Sequence, residues 1–405
     1  MRQAPPGNQR GGKPRLVLFL TVFIDLLGFG IVIPFLPMYA ARLHVHAVGI
    51  GLILAIYSLM QFLCAPVLGR ISDRVGRRPI IMLGLLGSSL GYLIYGFAWS
   101  FAILLLSRAV HGICAATVST AQAYVADTTA ESERAHGMGM IGAAFGLGFV
   151  LGPAIGGLLG HGSLRTPVFF AAALTFANLI FAAVALPESH TPEPAARVDL
   201  ARTAKRLFAF SRDLANPKLF RLCAIAFLVT SALAALEATF ALMLPAVYGY
   251  GAFGVGALLA YAGFIQALTQ GWLLRKFVKR TGERKLLLTG MILLGAGLAP
   301  LGSLRSVAAL FILLALISAG YGLASPSVAS LISRSTQRHL QGEALGLNQS
   351  ALSLARIIGP IAGGFLYQWF NPAAPYIGGA VIVAAALLVA RVHKFSAPAE
   401  EGVTA

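Results

Sequence analysis

Long apolar runs separated by short polar connections make up most of this chain. Each run is about 18 to 27 residues long, and a helix needs about 20 apolar residues to cross the hydrocarbon core of a bilayer. The pattern predicts twelve membrane-spanning helices, near residues 16–39, 48–69, 80–98, 100–125, 137–160, 167–186, 219–245, 253–274, 286–303, 306–332, 344–368 and 373–392. Because a polar stretch separates the sixth run from the seventh, we expect a six-helix bundle at 1–186, a linker at 187–218 and a second bundle at 219–405.

Composition agrees with lipid as the main solvent for the chain. Charged residues make up only 11% of it and hydrophobic residues 58%, whereas a soluble protein carries about 25% charged residues. The first apolar run is long enough to span a bilayer and has no evident cleavage site, so we interpret it as a retained helix. The three cysteines lie in apolar runs without the spacing of a metal site. We expect no metal and no cofactor.

The net charge of +17 is distributed as a topology signal. Of the 31 lysines and arginines, 26 lie at the termini or in connections on one side of the predicted membrane. The positive-inside rule then places both termini and the linker on the cytoplasmic side of the membrane. Basic residues there can contact anionic lipid headgroups, so the charge does not point to nucleic acid as a partner.

Two segments of the chain repeat at an offset of 207 residues. The fifth run contains GPAIGG from Gly152 to Gly157, and the eleventh contains GPIAGG from Gly359 to Gly364. The charged stretch 69–79 also has a weaker copy at 275–285. We therefore predict an all-α polytopic membrane protein of two pseudo-symmetric six-helix bundles, a plan that transporters use with a site near the midplane.

Two carboxyl groups fall in the middle of predicted spans. Asp25 lies in the first span and Glu237 in the seventh, one in each half. A charge at that depth costs about 2.5–3.5 kcal/mol on insertion scales, so both residues need a use or a partner. Burial disfavours the charged form of a carboxyl group, and each could bind and release a proton. The alternative is a structural ion pair or a packed, protonated acid.

Two basic residues also lie inside spans. Arg108 in the fourth span cannot lose its charge and needs a carboxylate, a hydrated cavity or an anionic ligand, with Asp25 as the natural partner. His111 lies on the same helical face and could relay a proton or simply hydrogen-bond a neighbour. Arg356 in the eleventh span could face Glu237 or the cytoplasmic mouth, and the sequence does not choose.

Glycine and proline are placed where helices pack closely or bend. Glycines of the fifth span recur at intervals of four, which allows close helix contact in lipid, and Pro153 can bend that helix. These residues would serve a sliding surface or static packing equally well. In the first span Gly28, Gly30, Pro34 and Pro37 follow Asp25, which predicts a broken or bent helix beside a carboxyl group.

Several of these motifs resemble those of a known family. The stretch GRISDRVGRRPI at 69–80 resembles the cytoplasmic loop signature of the major facilitator superfamily, and Arg108 with Gly112 resembles its second signature. IDLLGFGIVIPFLP and YVADTTAESERA resemble bacterial tetracycline/proton antiporters. The glycine pattern of the fifth span resembles a signature of drug/proton antiporters, carried here by Gly139, Gly148, Gly152, Pro153, Gly156 and Gly157.

The resemblance assigns a role to the charged loop. Gly69 and Gly76 are expected to permit a tight turn. Asp73 would lie near the cytoplasmic end of the eleventh span, and Arg77 would pair with Asp127. The implied conformational latch comprises Gly69, Asp73, Arg74, Gly76, Arg77, Arg78 and Asp127.

The function implied is proton-coupled export of a small lipophilic or amphipathic compound by alternating access, carried out by a monomer. This chain has Gly91 where tetracycline pumps carry an acid, so we expect a substrate other than tetracycline. The alternatives are a lipid or metabolite exporter, or a proton symporter. No nucleophile, phosphate loop or signalling domain supports an enzyme or a receptor. The expected substrate cavity comprises Tyr57, Gln61, Gln122, Phe240, Gln266, Gln270, Asn348 and Arg356.

Overall fold

The computed structural model describes residues 12–129, 133–189, 216–336 and 341–392. Throughout these ranges the regular structure is helical, without a strand. The α-helices are α1 (Gly12–Val32), α2 (Leu36–Arg42), α3 (Ala47–Val75), α4 (Arg77–Gly96), α5 (Phe101–Cys114), α6 (Thr117–Thr128), α7 (Arg134–Leu159), α8 (Thr166–Ala185), α9 (Pro217–Tyr248), α10 (Ala252–Leu268), α11 (Leu274–Leu298), α12 (Val307–Arg334), α13 (Gln341–Trp369) and α14 (Ala374–Val392).

Within the described residues, eleven helical segments are long and apolar enough to cross a membrane. The predicted ninth span falls in α11, which starts at the end of the eighth span and continues through a non-helical Gly282. Beyond that glycine, Leu287, Met291 and Leu294 are fully buried. The segment therefore packs as a helix of the second half, although its apolar stretch is short.

In the part of the chain that the structure describes, three spans are interrupted rather than continuous. The first has a short 3-10 turn at Ile33–Phe35, where Pro34 cannot donate a backbone hydrogen bond, so the predicted break after Asp25 is confirmed. The fourth is broken between α5 and α6, at Ala115 and Ala116, which the sequence pattern did not predict. In the eighth, a π-helix at Thr269–Leu273 joins α10 to α11; such segments are frequent at functional sites.

Helix packing repeats between the two halves of the chain. In the first half α1 packs against α7 and α8, and α4 packs against α5 and α8. In the second half α9 packs against α13 and α14, and α11 packs against α12 and α14. The same pairs recur in the same order, as the sequence repeat predicts.

The chain forms two compact units whose boundaries differ from those of the repeat. The first combines the chain up to Leu36, Met60–Ala195 and Ala252–Ala260. The second combines Pro37–Leu59, Ala196–Gly251 and the chain from Tyr261. Each unit thus includes a short piece of the other sequence half, and division into independent bundles at 186 and 219 stays a prediction.

Glycine allows each of these short pieces to pack closely within its compact unit. Within the first unit, a side chain at Gly256 of α10 would collide with the carbonyl oxygen of Pro153 in α7. Within the second, a side chain at Gly51 of α3 would collide with the carbonyl oxygen of Pro360 in α13. Two glycine-to-proline contacts at equivalent places therefore let helix backbones approach closely.

Candidate functional site

Asp25 lies in the middle of α1 with its side chain partly exposed, while Leu26, Leu27 and Gly28 after it are buried. The hydroxyl groups of Ser88 in α4 and Thr117 in α6 lie within hydrogen-bonding reach of its carboxyl group. Thr117 is the first residue of α6, directly after the break in the fourth span. The break therefore places the Thr117 hydroxyl close to the Asp25 carboxyl group, within the first unit.

His111 lies behind Asp25 in the same polar cluster. Ser88 Oγ is 3.1 Å from His111 Nε2, and both side chains are buried. The ring of Tyr92 meets the imidazole edge-on with 4.9 Å between centroids, and Phe29 lies on it at 6.1 Å. Of the two roles considered for His111, a neighbour hydrogen bond is present, and a proton relay stays a prediction.

Arg108 is fully buried one turn before His111. Its guanidinium carbon lies 5.7 Å from the ring centre of Tyr92 and 5.6 Å from that of Tyr95, which is the geometry of cation–π contacts. It also acts electrostatically on His111. Two aromatic faces thus help to offset the cost of burying the charge. The expected tuning of Asp25 by Arg108 stays a prediction.

Gly91 fits against α5 with no room for a side chain. A β-carbon there would lie 2.9 Å from His111 Cβ and 3.2 Å from the carbonyl oxygen of Ser107. The Ser107 hydroxyl donates a 2.9 Å hydrogen bond back to the Gly91 carbonyl. An acidic side chain at this position would force α4 and α5 apart, and His111 is the titratable group that packs here instead.

Glu237 is the intramembrane carboxyl group of the second unit and lies on α9. Its side chain is exposed, although Leu236 and Ala238 on either side are buried. Arg356 of α13 is also exposed and acts electrostatically on Glu237. Of the two places left open for Arg356, the structure therefore favours the one near Glu237.

A small cavity lies in the second unit between α9, α12 and α13. Its volume is about 50 Å³, and its wall includes Thr230, Ser325, Asn348 and Leu352. Asn348 is 7% exposed, and its amide oxygen has no hydrogen-bond partner among the described residues. A buried, unsatisfied amide oxygen beside a space of this size can accept a hydrogen bond from a polar group.

The other expected cavity residues are divided among different environments. Gln61 donates a 3.1 Å hydrogen bond to the Ala115 carbonyl, a backbone acceptor at the break in the fourth span. Gln122 is exposed, and partial burial is shared by Tyr57, Gln266 and Gln270. The expectation for Phe240 is wrong, because its side chain is 1% exposed and packs in the core of the second unit.

The charged stretch 69–80 is mostly helical rather than a loop. α3 continues through Gly69 and Asp73 to Val75, and α4 begins at Arg77. The expectation of a turn at Gly69 is therefore wrong, because the helix hydrogen bonds continue beyond the apolar run. The chain reverses at Gly76 alone, with φ 109° and ψ 162°, a conformation that is essentially restricted to glycine.

Arg77 joins both ends of this turn to α6. Its Nε donates a 2.8 Å hydrogen bond to Asp127 Oδ2, the pairing that the family resemblance implies. Its Nη1 donates to Ser72 Oγ and to Asp73 Oδ1. Asp73 is exposed and Arg74 half-buried. The role of this group of charges as a latch stays a prediction.

Glu188, just after α8, is a residue of the turn that sequence reasoning missed. Its carboxylate accepts hydrogen bonds from the backbone N–H groups of Arg77 and Arg78, at 2.8 and 3.2 Å. It therefore caps the N-terminus of α4, where a negative charge is stabilised. The Arg78 guanidinium donates to the carbonyl of Ala183 in α8. Only the position of Glu188 at the end of a span could have suggested this role.

Glycines of α7 form the packing surface that the antiporter-like pattern predicts. Gly148 and Gly152 lie against the α1 backbone at Leu26 and Gly30, and Gly156 lies against Ile31 and Phe35. Gly157 lies against Gly256 of α10. Gly139 faces open space, and the helix is continuous through Pro153. Close packing is thus confirmed from Gly148 to Gly157, and sliding stays a prediction.

A second charged turn lies at Gly282 in the second unit. Glu283 Oε1 accepts hydrogen bonds from Arg334 Nη1 at 2.6 Å and from Ser330 Oγ at 3.3 Å. Burial opposes ionisation of Glu283, but its backbone hydrogen bond and Arg334 outweigh burial, so its pKa lies below the usual value. Its carboxylate is therefore charged near neutral pH.

The repeated helix packing, the spans and the buried polar groups within them define a multi-pass membrane transporter. The chain belongs to the Major Facilitator Superfamily, whose family model matches residues 18–281 and 276–404. These findings confirm the fold class and the family that the sequence motifs indicate.

Similar proteins include resistance proteins of bacteria. The chain is 36% identical to tetracycline resistance protein, class C, of Escherichia coli over 92% of this chain and 93% of that protein. It is 30% identical to multidrug resistance protein 1 of Bacillus subtilis (strain 168) over 87% of this chain and 89% of that protein. Among solved structures, the human organic anion transporter MFSD10 (TETRAN) matches with a TM-score of 0.71 and 26% identity, covering 96% of this chain and 100% of that chain.

Proposed function

We propose that this protein is a proton-coupled exporter of small lipophilic or amphipathic compounds in a bacterial inner membrane. The observation that carries the proposal is the partly exposed carboxyl group of Asp25, within reach of the Ser88 and Thr117 hydroxyls inside a membrane span. Relatives named for tetracycline and multidrug resistance support export as the direction of transport.

Protons entering the cell would drive export by alternating access. Asp25 and Glu237 bind and release the protons, one carboxyl group in each sequence half. A protonated carboxyl group is neutral and tolerates an apolar environment, whereas the carboxylate favours a hydrated one. Each proton exchange therefore changes the free energy difference between the two access states, and the charged turn at Gly76 regulates the change. The cation of Arg356 and a bound proton are alternative ways to neutralise the carboxylate of Glu237.

We infer the orientation from the sequence and the monomeric state from the family resemblance. Both termini and the linker are placed in the cytoplasm by the distribution of lysine and arginine. Basic residues on that side contact anionic headgroups, and the protein works as a monomer.

The substrate is a lipophilic compound with few polar groups. The names of this protein's relatives suggest tetracycline, but tetracycline is a weaker candidate substrate here. Gly91 and His111 pack together at the place where tetracycline pumps carry an acid. The unsatisfied amide oxygen of Asn348 offers one hydrogen-bond acceptor, and Gln266 and Gln270 offer amide groups on α10 and the π-helix. Apolar contact area with a few polar groups is the usual composition of such binding sites.

Export of an amphipathic anion is the second candidate. The observation that favours it is Arg356, an exposed cation on a membrane helix that could bind an anionic group. The similar human structure is described as an organic anion transporter.

Asp25→Asn tests the proton-coupling role. The amide cannot ionise, so uptake of ethidium into inverted vesicles driven by a pH gradient should fall at least about 100-fold, the lower end of what positioned acid–base groups contribute. Asp25→Glu is the matched control, since it keeps a carboxyl group and should retain part of the activity. Membrane insertion of both variants is checked by detergent extraction and size-exclusion chromatography.

The outcome distinguishes the candidates. Tetracycline and an amphipathic organic anion are tested beside ethidium in the same vesicles. Undiminished gradient-driven uptake by correctly inserted Asp25→Asn would contradict the proposed role of Asp25. Uptake of the anion without uptake of ethidium would make an amphipathic anion, and not an uncharged or cationic lipophilic compound, the substrate class.

A further inference from the structure

Ser88 lies between the two titratable groups of the polar cluster in the first unit. Its hydroxyl is 3.1 Å from His111 Nε2 and within hydrogen-bonding reach of the Asp25 carboxyl group. Asp25 is partly exposed, whereas Ser88 and His111 are 2% and 4% exposed. One hydroxyl group therefore interacts with both an accessible carboxyl group and a buried imidazole.

We propose that Ser88 is a positioning residue that joins His111 to Asp25 as one proton relay. The proposal rests on the proposed function, because it extends proton binding at Asp25 to a second group deeper in the protein. His111 then accepts the proton briefly and passes it on to Asp25, because Arg108 beside it disfavours a second positive charge.

The transfer conserves every atom. The His111 imidazolium gives its Nε2 proton to Ser88 Oγ, and at the same time the Ser88 hydroxyl gives its own proton to the Asp25 carboxylate. The products are a neutral imidazole, an intact hydroxyl and a neutral carboxyl group, and the reverse steps return the proton. A hydroxyl group can perform this exchange because it donates one hydrogen bond and accepts two.

The groups around His111 explain why the proton would move toward Asp25. On α5, Arg108 is the charged group that acts on the imidazole, and two positive charges in one buried cluster repel each other. On α4, Tyr92 meets the imidazole ring edge-on, and the Tyr95 ring centre lies 5.6 Å from the guanidinium carbon of Arg108. On α1, Asp25 supplies the acceptor and Phe29 an apolar cover; on α6, Thr117 supplies a second hydroxyl.

The simpler alternative is that Ser88 only satisfies a buried histidine. Both interpretations predict some loss of stability when the hydroxyl is removed, so stability cannot separate them. They differ in whether the state of Asp25 changes when His111 is disconnected from it.

Infrared spectroscopy of the purified protein reads that difference directly. The carboxyl stretching band of protonated Asp25 is identified by its disappearance in Asp25→Asn and is followed as a function of pH. Ser88→Ala should shift the midpoint of this titration and the band frequency. Ser88→Thr, which restores a hydroxyl, should return both toward wild type.

Ser89→Ala is the matched control. Ser89 is equally buried on the same helix, but its hydroxyl donates to the Ala172 carbonyl of α8. We expect its Asp25 band to titrate as in wild type. An unchanged Asp25 titration in folded Ser88→Ala, or an equal shift in Ser89→Ala, would overturn the proposal.

A double-mutant cycle tests the relay in transport. Ser88→Ala and His111→Gln should each slow gradient-driven ethidium uptake about tenfold, the size expected for losing one hydrogen bond to a charged group. The double variant should be no slower than either single variant, because both changes interrupt the same path. Multiplied effects would mean independent roles and would contradict the relay.

The two proposals fail in different ways. If wild-type vesicles show no uptake driven by a pH gradient, the proposed function fails, while the infrared titration still tests the link through Ser88. If wild type is proton-driven and Ser88→Ala behaves like Ser89→Ala in both assays, only the relay is wrong.

Discussion

The two charged turns of the molecule have similar backbone conformations at their glycines, but the residues that follow the glycines carry opposite charges. Gly76 has φ 109° and ψ 162°, and Gly282 has φ 75° and ψ 158°. After Gly76 comes Arg77, which pairs with Asp127 at the end of the fourth span. After Gly282 comes Glu283, which pairs with Arg334 at the end of the tenth. The position of the ion pair is kept across the repeat, and its polarity is reversed.

A second contact is also kept, this time without reversal. The guanidinium of Arg78 donates to the carbonyl of Ala183 near the end of α8. The guanidinium of Arg284 donates to the carbonyl of Arg391 near the end of α14. A carbonyl group at a helix end is an acceptor in both halves, so this position requires a hydrogen-bond donor, which a guanidinium supplies in each. An ion pair between two side chains requires only opposite signs.

The surroundings of the two turns differ more than their ion pairs. Arg77 is largely buried and also binds Ser72 and Asp73, while Glu188 caps the helix that follows. In the second turn, Arg334 has 68% of its side chain exposed. The first turn is therefore a network connected through one buried guanidinium, and the second is a pair whose cation is open to solvent. We expect the first to control conformation and the second mainly to fix the local fold.

Removing the cation of the first turn should have the largest effect. Arg77→Ala leaves Asp127 and Asp73 without their common partner, but both carboxylates stay in contact with solvent. The change should therefore destabilise the protein by about 2 kcal/mol, within the range for losing hydrogen bonds to charged groups. Glu283→Ala, its counterpart, should cost about 1 kcal/mol or less, because Arg334 is exposed. Thermal unfolding in detergent measures both.

Turnover adds a second readout for the same pair of variants. Arg77→Ala should lower the maximal rate of ethidium uptake more than it raises KM, and Glu283→Ala should change neither by more than about twofold, which corresponds to less than 0.5 kcal/mol. Equal losses in the two variants would show that the two turns do not differ in function.

Glycine-to-alanine substitutions at the two turns should differ in their effect on stability, by a smaller amount than the Arg77 and Glu283 variants. Both glycines have conformations that strain any other residue by about 1–3 kcal/mol. A side chain at Gly76 would in addition collide with the Glu188 carboxylate, whereas the space around Gly282 is open. Gly76→Ala should therefore destabilise the protein more than Gly282→Ala by about 1 kcal/mol, from the lost cap.

The role of Glu188 in that difference can be checked. In a Glu188→Ala background the collision is gone, so the two glycine variants should become equivalent in thermal unfolding. A difference that persists would assign the effect to the backbone of the turn instead.

The smallest expected effect is the acid dependence of the second turn. The pKa of Glu283 is lower in the folded protein than its ordinary value of 4.5. Its contribution to stability is therefore fully present above pH 4.5 and is lost as the pH falls through the folded value. Wild type should exceed Glu283→Gln by at most about 1 kcal/mol at pH 7.

Unfolding measured from pH 7 down to pH 4 tests this sign. The gap between wild type and Glu283→Gln should begin to narrow as the pH passes below 4.5. A gap that widened on acidification would contradict the assigned direction of the pKa.

Most of the fold could be read from the sequence because lipid restricts the solutions. Every backbone polar group in hydrocarbon must be satisfied within its own helix, so long apolar runs predict spans, and the repeated GPAIGG and GPIAGG segments predict two related halves. The predicted pair of Arg77 with Asp127 also agrees with the structure, since both ends were placed by family motifs.

The polar cluster around Asp25 was predicted only in part. Asp25, Arg108 and His111 stand out because charge inside a span is expensive. Ser88, Tyr92 and Thr117 do not, because hydroxyl groups are common in membrane helices and only the tertiary packing selects the ones that meet. The break at Ala115 brings Thr117 into the cluster, and neither glycine nor proline marks it in the sequence.

The charged stretch was misread at Gly69 for a related reason. Charge and glycine together indicate a loop, but α3 extends beyond its apolar part and ends only at Val75. Phe240 was placed in the cavity because aromatic residues are conspicuous in an apolar helix, whereas it fills the interior of the second unit. Residue type alone does not reveal the direction in which a helix face points.

The exchange of short segments between the compact units sets the order in which the protein can be completed on the ribosome. The first unit contains residues 252–260, so its last helix contact can form only after well over half of the chain has been synthesised. Residues 37–59 belong to the second unit and must wait for α13 before their partners exist. During biosynthesis, the early helices therefore remain incompletely packed and depend on the insertion machinery or on lipid until the later ones arrive.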